Sequence, residues 1–325
     1  MQINQLKDLY QRNKINHEQL IYAIEILEML ECFADDSIDS INEEVLDGFV
    51  AHLVEKKMMS IDSIVVLMRY YKMIKRNDLY IQLTKYTGGL GVIESILERL
   101  DLIVGKTLSE KIKSQIDIPK LGTHPSQIPK FTESFMSLLE TTLDKKTVEK
   151  VLASNHHQIS EKVYLDERIL YEQAETLDQY LKELHQRKVQ ILEKHLKENT
   201  VWFEQNITKE VVDFVRQNQE VLSAVRKQDK LLITKIPYDV EAYLKADSNE
   251  EKAYHACHCP FAKESVKNNG IHISDTWCYC SAGFAKFPFE VLFDKELKVE
   301  VLQNVLKGDP VCRFSLSLEN IDYKK

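Results

Sequence analysis

Apolar residues recur every three or four positions through most of the chain, which is the period of an amphipathic helix. Leu20, Ile24 and Leu27 follow Asn16 and Gln19, a pair spaced to cap a helix start, and predict a first strong helix from His17 to Ala34 with Cys32 packed in its last turn. Val45, Phe49 and Leu53 mark a second amphipathic helix, and Ile64, Leu67 and Tyr71 a third that starts after Ser60. The rhythm breaks at DIPKLGTHPSQIPK, where Pro119, Gly122, Pro125 and Pro129 predict a linker over 118–130.

Beyond that break, Leu177, Leu181, Leu184, Ile191 and Leu192 predict one long helix between about 172 and 198, with Lys and Glu on its solvated face. After Asp229 the period changes. LLITKIP reads as a strand ending at Pro237, Trp277 to Leu292 as a turn and helix, and LKVEVLQNVLKGDPVCRFSLSL as two strands joined at Lys307-Gly308-Asp309-Pro310. Val299, Val301 and Val305, then Phe314, Leu316 and Leu318, alternate as in a sheet with one buried face. The expected fold class is α+β, predominantly α: a helical bundle over 1–117, the linker, a helical region over 131–229, and a small Cys-rich module with an antiparallel hairpin over 230–325.

Composition narrows the classes. At 325 residues, each domain can bury a core without disulfides or metal. A formal net charge of -8 leaves no broad basic surface, so nucleic acid is not an expected partner. No apolar run has the length to cross a bilayer, and MQINQLKDLYQ lacks the apolar core of a secretory signal, so no membrane partner is expected and the cytoplasm is the expected compartment.

Three further features read as structural. Tyr86-Thr87-Gly88-Gly89-Leu90-Gly91 is glycine-rich but no strand precedes it, so a turn between helices is expected rather than a phosphate loop. His156, His157, His185 and His195 have no partners at metal-ligand spacing and are expected at the surface or as caps. Trp202, Phe203, Val211, Val212 and Val215 are expected to be core contacts of two packed helices.

The chemistry concentrates in the last quarter. Cys257, Cys259, Cys278, Cys280 and Cys312 fall within 56 residues, as two Cys-x-Cys elements and one later cysteine. In a reducing compartment such a cluster suggests metal ligation, catalysis or buried thiols rather than disulfides. Thiolates suit zinc, and four could close a tetrahedral site. Alternation on a strand would send the two members of each Cys-x-Cys to opposite faces, which favours a mixed set of one thiol from each pair with Glu300 and Cys312. As a nucleophile, Cys259 or Cys280 would need a base, and His258, His255 and His272 are near in sequence.

Two segments resemble known families. Ser37–Asn77 is similar in its rhythm of short helices to the core-binding bundle of tyrosine recombinases, but no histidine here is followed by Arg in the His-x-x-Arg spacing of their catalytic half. CYCSAGFAKFPFE followed by VEVLQNVLKGDPVCRFSLSL resembles the 4-vinyl reductase domain family and the related L-2-amino-thiazoline-4-carboxylic acid hydrolase-like proteins, over 277–318. The resemblance implies zinc ligands at Cys278 or Cys280, Glu300 and Cys312, with Gln303 standing where a further cysteine would be expected and Cys257 or Cys259 as the substitute. WFEQNITKEVVDFV and HACHCPFAKESV look like segments of uncharacterised bacterial proteins.

Three functions compete on these readings. The chain is expected to be a cytoplasmic sensory or accessory protein that binds a small molecule beside a zinc-binding module. A cysteine hydrolase of a small amide or cyclic C–N bond, using Cys259 or Cys280 with His258, is the alternative, and a helical interaction scaffold whose thiols only pack is the third.

Overall fold

The structure, a computed structural model, describes residues 1–325. The chain is α+β and predominantly helical, with small antiparallel sheets towards its C-terminal end. It forms two compact units, Met1–Gly88 with Pro119–Gln127, and Gly89–Ile118 with Ile128–Lys325. No helix is long and apolar enough to cross a membrane.

The first unit contains α1 (Ile3–Arg12), α2 (His17–Ala34), α3 (Glu43–Glu55), α4 (Ile61–Met73) and α5 (Asn77–Thr87). Local chemistry sets their starts. The Asn16 and Asn42 side chains accept the backbone N–H of Gln19 and Val45, and Ser60 and Ser63 cap each other's N–H groups. The core buries Leu6, Tyr10, Leu30, Phe49, Tyr70 and Tyr71 almost completely, each such side chain contributing about 1.5–3 kcal/mol on the scale of apolar transfer. Cys32 is exposed rather than packed, because the buried stripe of α2 runs through Ala23, Ile26, Leu27 and Leu30.

The proline-rich stretch is not a free linker. Residues 119–127 pack within the first unit: Leu121 lies against its core, and Gly122, at φ 85°, sits so close that a Cβ there would stand 2.6 Å from Val54 Cγ2. The boundary expected near 117 therefore differs from the contact division, which leaves α6 (Val92–Val104) and α7 (Lys106–Lys113) in the second unit. Ile93, Ile96, Leu100 and Ile112 share a core there with Phe135, Trp277 and Phe314.

The second unit continues with α8 (Ile128–Thr142), α9 (Lys145–Leu152), α10 (Leu165–Gln173), α11 (Leu177–Glu198), the hairpin β1 (Val201–Trp202) and β2 (Gln205–Asn206), α12 (Lys209–Gln217) and a single turn α13 (Glu220–Ser223). Then come β3 (Val225–Lys227), β4 (Lys230–Thr234), α14 (Val240–Lys245), α15 (Asn249–Ala256), α16 (Tyr279–Phe293), β5 (Val299–Gln303) and β6 (Arg313–Ser317). Trp202 belongs to a hairpin yet packs, as expected, on the core that α11 and α12 share through Val189, Leu192, Val211, Val212 and Val215, whereas Phe203, at the hairpin turn with φ 52°, is exposed. Residues 131–229 and 230–325 are one body, since Leu177, Tyr180 and Leu184 of α11 share a core with Leu231, Phe289 and Leu316.

The main sheet has the order β3-β4-β6-β5 with every pair antiparallel. Its central position buries β6 on both faces, Phe314 and Leu316 on one and Ser315 on the other, rather than on the single face expected. After β5, Val305–Lys307 turns as a 3-10 helix closed by Asn304, whose side chain accepts the Lys307 N–H and whose own N–H donates to Asp309 Oδ2. Gly308, at φ 86°, completes the turn in a conformation that favours glycine.

Candidate functional site

Three chain segments deliver the five C-terminal thiols to one region. Cys257 caps the end of α15, its N–H bonding the Ala253 carbonyl, and Cys259 follows in the loop before the 3-10 turn Lys263–Ser265. Cys278 ends the 3-10 turn Asp275–Cys278 and Cys280 lies in the first turn of α16, so neither Cys-x-Cys element is on a strand and the expected alternation of faces does not apply. Cys312 immediately precedes β6.

All five are free thiols; four are buried and Cys259 is half-buried. Burial, then the neighbouring Cys259 and Cys312, push the Cys257 thiol up to about 12. Burial and then Cys259 do the same to Cys280, while Cys278 rises well above 9.0 through burial followed by Cys312, Cys257 and Cys259. These mutual influences place the sulfurs of all three segments in one neighbourhood. The physical result is a set of protonated thiols, because removing a thiolate from water costs more than a few N–H groups restore.

Cys259 differs from the rest in its surroundings. Its sulfur accepts the indole N–H of Trp277 at 3.3 Å, and Trp277 is itself locked edge-on between Phe135 and Phe261. Burial still raises its pKa, against the opposing effects of Trp277, the Phe261 amide and Lys235.

Lys235 is the cation of the region. β4 carries the chain past Thr234 so that the Lys235 N–H donates to the Cys312 carbonyl at 2.9 Å, and its ammonium donates to Ser281 Oγ at 3.1 Å and lies 5.6 Å from the centre of the Phe284 ring. Phe284 also meets His157 edge-on at 5.2 Å. That approach depends on Gly283, where a Cβ would stand 2.3 Å from the Ser154 carbonyl oxygen. His157 keeps the exposed position expected of it, yet the protein packed around its ring, and then Lys235, push its pKa down to about 4. It therefore stands at the rim of the region. Glu204, in the β1–β2 turn, is raised by burial and lowered by Lys235 and Lys263.

His258 Nε2 lies 2.7 Å from the Ile236 carbonyl, so that nitrogen carries the proton and donates; burial, then Lys235, hold the imidazole well below 6.5 and therefore neutral. Its ring stands edge-on to Tyr238, over which Lys263 Nζ sits at 3.8 Å. His258 and Cys259 retain partial exposure, and burial is the largest influence on the pKa of each.

The sequence candidates divide clearly. Cys257, Cys259, Cys278, Cys280, Cys312 and His258 come together. Glu300 does not: on β5 it faces solvent, its carboxylate 3.5 Å from Lys230 Nζ and its side chain 60% exposed. His255 packs against Tyr254, and His272 lines a separate cavity of about 380 Å³ with Glu250, Ser265, Asn268 and Gly308. Cys259 takes its side-chain hydrogen bond from Trp277 and His258 gives its own to Ile236, so the two are not a hydrogen-bonded catalytic pair. No three His, Cys, Asp or Glu side chains stand as a group that could hold a metal ion, so the residues of the expected zinc set are not gathered as ligands in this arrangement.

Lys235, Glu204 and the part taken by His157 were missed by sequence reasoning, since nothing local announces them. His156, expected at the surface, is buried and fully bonded: Nε2–H donates to the Val151 carbonyl at 2.9 Å and Nδ1 faces Ser95 Oγ at 3.1 Å.

Fold and site together define an α+β protein whose second unit gathers five protonated thiols, a neutral imidazole and Lys235 into one neighbourhood. A model of a family of unknown function, DUF6144, matches residues 238–322, a stretch that holds all five clustered cysteines and His258. No curated protein and no solved structure matches the chain. The family match carries no statement about 4-vinyl reductase or thiazoline hydrolase proteins.

Proposed function

We propose that this chain is a cytoplasmic small-molecule-binding protein, and that its ligand lies in the region of Lys235, His157, His258, Cys259, Ser281 and Phe284. The observation that carries this reading is the company of Lys235: its ammonium donates to the Ser281 hydroxyl and faces the Phe284 ring, and, after burial, it holds down the pKa of the His157 and His258 imidazoles. Convergent polar groups with perturbed pKa values in an apolar setting are a common mark of ligand sites. The raised thiol pKa values and the missing Cys–His hydrogen bond give the hydrolase reading less support, because a nucleophilic cysteine works as thiolate.

The test is retention of small molecules. The protein is dialysed against a diverse metabolite mixture, and bound species are identified by mass spectrometry beside a Ser281→Leu variant that crowds the region around Lys235 and is checked for helical content by circular dichroism. At least one compound is expected to be enriched on the unaltered chain and lost from the variant. Equal retention of every compound by both would remove the reading.

A further inference from the structure

A cavity of about 380 Å³ opens in the second unit, within the size range of small-ligand sites. Its apolar lining includes Ala253 of α15, Ile273 and Val305, each buried. Polar groups complete it: Glu250 in the first turn of α15, and Asn269 and His272 in the loop before the 3-10 turn Asp275–Cys278. None of these three side chains has a hydrogen-bond or ion-pair partner within the protein. Surface side chains often lack partners, but here three of them surround one cavity with an apolar lining. The loop that carries two of them is tied down, because the His272 backbone N–H donates to Glu133 Oε1 at 2.6 Å and Ser274 Oγ donates to Glu140 Oε1 at 2.5 Å. A wall fixed in this way loses little entropy when a ligand enters. Every lining residue falls inside the stretch 238–322 that the family model matches.

Charge selects the occupant. Glu250 is the sole carboxylate of the lining, and no Lys or Arg contributes to it. A carboxylate oxygen, an amide oxygen and an imidazole nitrogen are three acceptors, matching the three donors of an ammonium group. An anionic ligand would meet Glu250 with no cation in the lining to offset the repulsion. A metal ion is not the match, since no group of three His, Cys, Asp or Glu side chains stands ready to hold one. We infer that this cavity binds a small organic amine, with its ammonium paired to Glu250 and hydrogen-bonded by Asn269 and His272, and its apolar body against Ala253, Ile273 and Val305. Burial of that body supplies most of the affinity, and Glu250, being exposed, supplies the preference for a cation. The cavity shares no residue with the Lys235 region, so the amine site goes beyond the ligand proposed there and is tested apart from it.

The test uses the full chain and three probes of similar shape: phenethylamine, the neutral 2-phenylethanol and the anionic 3-phenylpropionate. Titration calorimetry measures binding, and NMR shifts of Gly308, Asn269 and His272 locate it. Phenethylamine is expected to bind about fivefold more tightly than the alcohol, to shift the signals of those three residues, and to exceed 3-phenylpropionate by more. Glu250→Gln, at an exposed helical position, should fold normally and weaken amine binding about fivefold, a modest charge-assisted contact. Glu250→Asp should keep most of the binding, and Ser281→Leu all of it. Equal binding of amine and alcohol, undiminished in Glu250→Gln, overturns the ammonium assignment. Binding of no probe, or amine binding that leaves Gly308, Asn269 and His272 unshifted, overturns the site itself, while the metabolite comparison with Ser281→Leu decides the Lys235 region separately.

Discussion

The two units bury polar groups in opposite ways. In the first, Tyr86 and Gln82 both donate to Asp47, Tyr70 donates to Asp39, and Tyr71 to the Ile38 carbonyl, so these interior groups end in acceptors supplied by the same unit, the buried Tyr10 hydroxyl being the exception. In the second, five thiols, two neutral histidines and Lys235 gather in one region, and the side-chain hydrogen bond of Cys259 comes from an indole. A closed set of partners adds to stability, whereas an open set leaves electrostatic demand for something else to meet. That contrast is the reason the proposed function is assigned to the second unit.

The largest effect that sharpens this contrast is a single methyl group on each side. Gly283 of α16 lies against the backbone of Ser154, where a Cβ would meet the carbonyl oxygen at 2.3 Å and the nitrogen at 2.4 Å, and backbone cannot swing aside as a side chain can. Gly283→Ala is expected to destabilise the second unit by about 3 kcal/mol or more and to separate His157 from Phe284. Gly48 of α3 is the counterpart in the first unit, with only the tip of Phe33 at 3.4 Å. Gly48→Ala is expected to stabilise that unit by about 0.5–1 kcal/mol, the helical preference of alanine over glycine. Denaturant midpoints with unit-resolved amide exchange check both, and a tolerated Gly283→Ala would break the account of how the Lys235 region is held.

Acid gives the next effect. His156 is buried, and burial lowers its pKa to about 4 from 6.5, so the folded unit holds it neutral while the unfolded chain takes up a proton. The sign follows: stability is unaffected above 6.5, falls as pH drops through 6.5, and stops falling near 4. The loss from this residue is about 3 kcal/mol. His157 and His258 shift in the same direction. The first unit buries no histidine and lacks this source of acid lability. Amide exchange at about pH 7 and about pH 4.5, on either side of most of that titration, should show the second unit opening far more at the lower value. His156→Gln should flatten its pH profile; equal loss in both units would contradict the assignment.

Much of the helical frame was legible locally. Asn16 and Ser60 announce their helices because a cap needs only residues three positions apart, and the Lys307–Pro310 turn is likewise written in four neighbours. Contacts distant in sequence were not legible. The prolines of 119–127 end helices, but only packing on Val54 and Met59 shows that the segment is part of a unit. The clustering of cysteines pointed to three segments that lie near one another in the fold. Lys235, Glu204 and His157 reach the same region from upstream of His258, by way of β4, a hairpin turn and the close approach at Gly283, and no local pattern encodes such arrivals.

Glu300 gives the smallest expected effect and the most direct check on where the thiol region ends. The neighbours of this residue already carried its direction, since Val299 and Val301 pack inward and a strand sends the residue between them to the other face. Its one ion pair, with Lys230 at 3.5 Å, joins two side chains that are 60% and 56% exposed. Exposed pairs of this kind contribute little, so Glu300→Gln is expected to change stability by less than about 0.5 kcal/mol. Labelling of Cys259 and Cys312 should be unchanged as well, because the carboxylate does not face them. Faster labelling of either thiol in the variant, or a loss of several kcal/mol in a denaturant titration, would mean that Glu300 reaches the sulfurs, and the separation between the solvated face of the sheet and the thiol region would have to be redrawn.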